Sequence, residues 1–426
     1  MKIGLALSGG GYRAAAYHIG TLKALKDMNI LDKVDVISSV SGGSITAAYY
    51  ALHKDNYAQF DSSIRSKLCH GVLHLSMINI CLVVIAIVVI TSVYGFGGFM
   101  LSLFLLWFIW YYVLPISRLI MWQYDWLFFK DRTLDDLPKT PLVTINATDF
   151  LHVEQFTFSK DDMYEYSYGE GAFYNSGFPI SRAVMASSCV PFAFNPIRIP
   201  KQYHTEKMHD KRQPLLLDGG LYDNQGTHVL TDKSSKNACD YIIVSDAGNS
   251  AQPSSYPWNI ITTLYRTSDV FMQRIKKVQR QQNLYLKTYP QKRFAYSVLE
   301  WSVNERMLHG FVDNIIEGNI YKDVLDAHGI TEDNVEALKY TPTTQETRTY
   351  IINLLKNNIG WNELLHLKTT AEEHKKNNRT RTNLVSLKKS KINLLSKEAE
   401  WKTQIQVRLY LPFLIKEAQV QSETTK

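Results

Sequence analysis

Cysteine is scarce in this chain. There are four in 426 residues, Cys69, Cys81, Cys189 and Cys239. None are spaced as metal ligands, so neither a disulfide framework nor a zinc module organises the fold, and free thiols in a reducing compartment are expected. Nucleotide-binding signatures are missing too. The triplet Gly9-Gly10-Gly11 runs on into Tyr12-Arg13, which matches neither G-x-G-x-x-G nor G-K-[ST]. No D-x-D-x-D-G loop marks a calcium site, and no internal repeat is visible, so no metal or other cofactor is expected. A secretory leader is not expected either, because the same triplet cuts the first apolar run short. The formal charge of +7 is mild for this length. It does not point to nucleic acid, but it suits an anionic membrane surface.

Charge of either sign is absent from Leu68 to Ser117. The stretch holds "CLVVIAIVVI" (81–90) and "LSLFLLWFIWYYVL" (101–114), separated by "YGFGG" (94–98). A helix needs about 20 apolar residues to cross a bilayer. Two spanning helices near 72–93 and 99–117 are therefore expected. Arg65 and Lys67 precede them; Arg118, Lys130 and Arg132 follow. These flanks place both ends, and the rest of the chain, on the cytoplasmic side. Trp107, Trp110, Tyr111 and Tyr112 would lie at the interface. A re-entrant hairpin, or one buried in a soluble core, are the alternatives.

What remains is 45% hydrophobic and 20% charged over the whole chain, as in a globular protein. Short β-type runs alternate with helical ones: "IGLAL", "YRAAAYHIGTLKALKDM", "VDVISSV", "SITAAYYAL". This alternation predicts an α/β fold with a mainly parallel sheet. Further strands are expected at "PLVTINATDF" (141–150), "EQFTFS" with "YEYSYG" (154–169), "PLLL" before Asp218, "DYIIVSDAG" (240–248) and "FAYSVLEWSV" (294–303). Helices are expected within 179–194 and 258–286. The hairpin at 68–119 interrupts a core that runs from 1 to 330. Residues 331–426 form a basic, mostly helical region, in which 372–395 faces solvent or anionic headgroups.

Three motifs carry chemistry. Glycines 9–11 lie between a strand and a helix, where backbone amides and the helix N-terminus converge on a phosphate or an oxyanion. "SVSGG" (39–43) places Ser41 at a strand-to-helix junction. It resembles the nucleophile elbow G-x-S-x-G, with Ser39 in place of the first glycine and Gly43 kept. "DGGLYDN" (218–224) puts Asp218 at the end of a strand, on the edge where α/β sheets hold their sites. An Asp-Gly turn is the structural alternative. His18 and His228 are weaker candidates for a triad histidine.

Together, Gly9-Gly10-Gly11-Tyr12-Arg13, Ser41 and Asp218-Gly219-Gly220, in that order, resemble the patatin-like phospholipase family. "NATD" (146–149) and "ASSCVPFAF" (186–194) add to the likeness, which covers about residues 1–250. The resemblance implies a three-layer patatin-like fold with an inserted hydrophobic helical hairpin. It implies a Ser41–Asp218 dyad, an oxyanion hole from Gly9, Gly10 and Gly11, an anchoring role for Arg13, and turn support from Gly43, Gly219 and Gly220. Membrane phospholipids are the implied substrates, with acyl transfer at the same site, or a catalytically silent membrane scaffold, as the alternatives.

Overall fold

The computed structural model describes residues 1–108, 116–248, 259–284, 289, 291–340 and 344–416. Nine strands form one mixed sheet. They are β1 (Ile3–Leu7), β2 (Val36–Val40), β3 (Leu142–Asp149), β4 (Glu154–Phe158), β5 (Met163–Tyr164), β6 (Ile197–Arg198), β7 (Leu215–Asp218), β8 (Tyr241–Asp246) and β9 (Arg293–Val298). The main path runs β5-β4-β3-β2-β1-β8-β9. The five strands from β3 to β9 on that path pair in parallel. β4 and β5 turn back antiparallel at the β3 edge.

Period-2 burial divides the central strands between two cores. Leu5, Leu7, Ile37 and Ile243 face one; Ala6, Val36, Ile242 and Val244 face the other. Helices cover both faces. On the first lie α1 (Gly11–Asp27) and α2 (Gly42–Leu52), which follow β1 and β2 directly.

The C-terminal helix Lys389–Tyr410 is built into this core. Its Leu395, Ala399 and Val407 join the sheet-side cluster. Trp401, Ile405 and Leu409 instead join a second cluster made with helices Arg306–Ile316 and Thr344–Asn358. Lys402 donates to the carbonyls of Val298 (3.1 Å) and Leu299 (2.8 Å) at the end of β9. It also pairs with buried Glu398 at 2.9 Å. The helix crosses α1 so closely that a Cβ at Gly20 would fall 1.8 Å from the Ser396 carbonyl oxygen.

The uncharged stretch folds as a helical hairpin but differs from the expected pair of spans. After α3 (Tyr57–Lys67) come α4 (Val72–Ser92), α5 (Gly95–Phe108) and α6 (Ile116–Tyr124). The first turns of α4 belong to the protein body, since Val72 and Ser76 are buried. The remaining 77–92 segment is about 24 Å long, and α5 is described over 14 residues, up to Phe108. A hydrocarbon core is about 30 Å thick. Among the described residues, no helix is long and apolar enough to cross a membrane. Residues 109–115 of the expected second span lie outside the described residues; at its end Ser117 donates to the Asn195 carbonyl at 2.6 Å, and Ile120 and Tyr124 of α6 join the main core. Of the expected interfacial aromatics, Trp110, Tyr111 and Tyr112 lie outside the described residues. The leading basic flank is spent on the protein: Arg65 is held by Asp61 (2.9 Å) and Ser396 (2.8 Å), and Lys67 donates to the Leu127 carbonyl.

Gly20→Ala should cost about 1–3 kcal/mol, the usual cost of overpacking a tight contact. A urea midpoint that drops with an unchanged slope would register it.

Candidate active site

The site begins with strand register. β2 ends at Val40, which lies opposite Asn146 of β3. β3 continues three residues further. β4 occupies its outer edge along that length, so β7 takes the inner edge vacated by β2. It does so antiparallel, with Asp218 opposite Ala147. The C-terminal ends of β2 and β7 thus meet head-on at neighbouring positions of one strand. Ser41 follows the first, and Asp218 closes the second.

Ser41 is the N-cap of α2, with φ 51° and ψ −120°. A non-glycine residue with positive φ is costly, and such strain collects at functional turns. The turn is over-determined by its surroundings. A Cβ at Gly42 would meet the Gly11 carbonyl oxygen at 2.1 Å, and one at Gly43 the Leu7 oxygen at 2.3 Å. Ser41 N–H donates to Ser187 Oγ at 2.8 Å, and Ser187 Oγ donates to the Asn146 carbonyl at 2.6 Å. Ser39, where an elbow glycine was expected, is fully buried and donates to the Thr144 carbonyl at 2.8 Å. A serine therefore fits that place.

The Asp218 carboxylate accepts from the Gly220 N–H at 2.7 Å, and the neighbouring Ser41 hydroxyl favours its ionised form. Asp218 N–H donates to the Cys189 carbonyl (2.9 Å), and its own carbonyl accepts from Thr148 Oγ1 (2.8 Å). Backbone and side chain are both fixed. The residue is 3% exposed. Burial is the largest influence on it and pushes its pKa up to about 6, against the pull of the Gly220 and Ser41 hydrogen bonds. Gly219 is required by contact, since a Cβ there would lie 2.3 Å from the Asn146 oxygen.

The glycine loop borders the serine: a Cβ at Gly9 would lie 3.4 Å from Ser41 Cβ. Its three amides are not equivalent. Gly9 N–H is bound to the Asn224 carbonyl at 2.9 Å. Among the described residues, the Gly10 and Gly11 amides meet no backbone acceptor, and both glycines have positive φ, 143° and 59°. Two amide donors of the loop are thus left unclaimed by the backbone. Arg13 lies beneath it, 3% exposed, with Nη1 donating to the Thr380 carbonyl at 2.9 Å. Burial lowers its pKa to about 10, opposed by Asp246.

Neither candidate histidine joins the pair. His18 is buried with Nδ1 on Ser245 Oγ (2.8 Å) and Nε2 on the Ser8 carbonyl (2.9 Å), and burial lowers its pKa to about 4. It braces the strand end before the glycine loop. His228 faces Tyr222, 3.4 Å from its hydroxyl.

Three residues outside the sequence expectations complete the site. Ser187 holds the elbow, and Asn224 holds Gly9. Asn383, from the segment before the C-terminal helix, covers the loop: its carbonyl accepts from Tyr12 N–H at 2.9 Å and lies 2.4 Å from where a Gly11 Cβ would be. Ser187 and Asn224 fall inside the motifs "ASSCVPFAF" and "DGGLYDN". Nothing in the sequence near 383 points to position 11.

With this geometry in place, the family comparison is direct. The family model described as patatin-like phospholipase matches residues 5–231, more than half of the chain. The chain belongs to the patatin-like phospholipase family. The matched patatin-like segment holds Gly9–Gly11, Ser41 and Asp218 and ends before Asn383 and the C-terminal helices. Among solved structures, the chain is similar to human GIVD cytosolic phospholipase A2, with 12% identity over 98% of this chain and 60% of that one, at a TM-score of 0.48. The same human enzyme with methyl gamma-linolenyl fluorophosphonate inhibitor and terbium chloride gives 13% identity over 98% and 59%, at 0.45. VipD from Legionella pneumophila gives 12% over 99% and 88%, at 0.29. The chain thus spans about three fifths of the length of the human enzyme. No curated protein matches.

Burial of Asp218 links its titration to stability. Its folded pKa is raised from 3.8 to about 6, so the native state holds a proton that the unfolded chain has lost. Below pH 3.8 there is no penalty. It grows as pH rises through that window and is complete above about 6, where a shift of two units corresponds to about 3 kcal/mol. Asp218→Asn removes this charge, so its melting temperature should gain on the wild type between pH 4 and 6 and hold the gain above. Melting curves of both proteins across that range would show the divergence.

Proposed function

We propose that this chain is a lipid acyl hydrolase that cleaves ester-linked fatty acids from glycerophospholipids through Ser41 and Asp218. The observation that carries this reading is the juxtaposition of Ser41 and the buried Asp218 where two strand ends meet at neighbouring positions of β3. Ser41 Oγ attacks the ester carbonyl, and its proton passes to Asp218. A free aspartate is a weak base at neutral pH, and a pKa near 6 brings it closer to the working range. The negative oxygen of the tetrahedral intermediate is held by the Gly10 and Gly11 amides, each worth about 3 kcal/mol when aligned. Collapse breaks the ester bond, and Asp218 returns the proton to the departing alkoxide. Water then attacks the acyl-serine, losing a proton to Asp218; the bond to Ser41 Oγ breaks, the fatty acid leaves and Asp218 returns the proton to Oγ. The family supports this chemistry. Arg13 has an anchoring role beneath the loop, held by Thr380.

Ser41→Ala and Asp218→Asn should each lower fatty-acid release from phospholipid vesicles by ~10³-fold or more. In the wild type, kcat/KM should rise with pH through about 6, as Asp218 ionises. Undiminished release by Ser41→Ala would refute the assignment.

The hairpin supplies contact with the lipid. Ile85, Val89, Phe96, Leu101, Phe104 and Trp107 are all exposed, an apolar surface larger than a water-facing one normally carries. This apolar surface lies against a lipid leaflet, and no described helix is long and apolar enough to cross it. The basic stretch 372–395 lies at its root, because Leu73 N–H donates to the Leu384 carbonyl (3.2 Å) and Leu387 N–H to the Leu68 carbonyl (3.0 Å). Its lysines and arginines meet anionic headgroups there. The double substitution Phe96→Asp, Phe104→Asp should weaken binding to anionic vesicles by about 10²-fold, from the lost burial of two phenyl rings. It should leave hydrolysis of a soluble short-chain ester unchanged. Unaltered sedimentation with vesicles would count against the hairpin.

A further inference from the structure

A second group of polar side chains is built where β3 ends. Asp149 and Glu165 are both fully buried, and His152 between them is 13% exposed. His152 Nδ1 lies 2.8 Å from Asp149 Oδ2 and 3.6 Å from Glu165 Oε2. One nitrogen and two oxygens fall within 4.8 Å of one another. Two observations set this group apart from an ordinary ion cluster. Glu165 Oε2 is buried with no hydrogen-bond partner, and an orphaned buried carboxylate oxygen is costly. The outer shell is also complete. His152 Nε2 faces Asp210 at 2.9 Å, and Arg212 clamps Asp210 at 2.6 Å. Leu151 N–H (3.1 Å) and Tyr168 Oη (3.0 Å) orient Asp149, and Ser167 N–H (2.9 Å) orients the other Glu165 oxygen.

We infer that Asp149, His152 and Glu165 bind a divalent transition metal, with Zn²⁺ the best fit. Around a tetrahedral ion with bonds near 2.0–2.1 Å, ligand atoms lie about 3.3–3.5 Å apart. The two distances at Nδ1 bracket that value. The nitrogen donor disfavours Ca²⁺ and Mg²⁺, which take oxygen. A carboxylate on Nε2 fixes the tautomer that turns the Nδ1 lone pair inward, as metal-bound histidines require. On binding, Nδ1 offers its lone pair to the metal, with any proton it carried in the metal-free imidazolium leaving to solvent, and Glu165 Oε2 gains its partner. Water or Tyr168 Oη fills the fourth place. The site is distinct from the Ser41–Asp218 pair and staples the β3–β5 meander. It braces β3 where Asp149 lies opposite Leu216 of β7, two residues before Asp218.

The test uses the full chain, dialysed against ZnCl₂ and then metal-free buffer. Elemental analysis should find about one zinc per chain, and ZnCl₂ should raise the melting temperature where CaCl₂ and MgCl₂ do not. Glu165→Gln keeps the Ser167 hydrogen bond, so it should melt like the metal-free wild type while losing the retained zinc and the zinc-dependent rise. His152→Ala should lose both as well. Substoichiometric zinc in the wild type, or equal zinc retention by Glu165→Gln, would overturn the proposal.

Discussion

The structure depends on one edge of one strand. β3 outlasts β2 by three residues, and β7 fills the vacancy from the opposite direction. Two chain reversals are forced into the same small volume: an elbow after Val40 and a turn after Asp218. Both need glycine, because each backbone passes within van der Waals contact of another. Neither serine nor aspartate is held by its own side-chain contacts alone. Each is carried by a backbone that hydrogen bonds from Ser187, Asn146, Cys189 and Thr148 leave no freedom to move. Preorganisation of this kind is what makes a serine and a carboxylate brought together by the backbone chemically useful.

Burial then sets the electrostatics. Several ionisable groups are buried around the glycine loop, and they shift in different directions. Among the described residues, Asp218 meets the Gly220 N–H but no cation, so desolvation wins and its pKa rises. Asp246, also buried, faces Lys276 at 3.7 Å and accepts from Gln225, and its pKa is lowered. Asp246 in turn offsets part of the desolvation of Arg13 under the loop. The same low dielectric thus keeps one carboxylate ionised as a structural counter-charge and leaves the other poised to take a proton.

The parts legible in the sequence were those that punctuate the backbone locally. Glycine triplets, a serine between strand and helix, and an aspartate before two glycines are readable because a few adjacent residues determine the turn. Strand alternation gave the sheet on the same ground. Properties arising from distant contacts were hidden. The Gly9 amide, one of three expected donors, is consumed by Asn224, 215 positions away. The hydropathy of the 68–117 stretch was plain, but the packing of its two ends into the protein body, at Val72 and Ser76 and at Ser117, was not. Asp149 and His152 share one turn and could have been noticed; Glu165 and Asp210 reach them only through the sheet.

The segment before the C-terminal helix connects these parts mechanically. Thr380 is held by Arg13, Asn383 by Tyr12 N–H, Leu384 by Leu73 N–H, and Leu387 reaches the Leu68 carbonyl. Four hydrogen bonds within eight residues fasten the glycine loop to the root of the apolar hairpin. Tyr12 Oη adds a fifth, to the His70 carbonyl. The contact at Gly11 leaves no slack, since even a methyl group would strike the Asn383 backbone. A close-packed arrangement of this kind transmits displacement rather than absorbing it. The start of α4, the strap and the glycine loop beside Ser41 are therefore joined as one packed unit, with the exposed apolar helices growing from one end of it and the serine lying at the other.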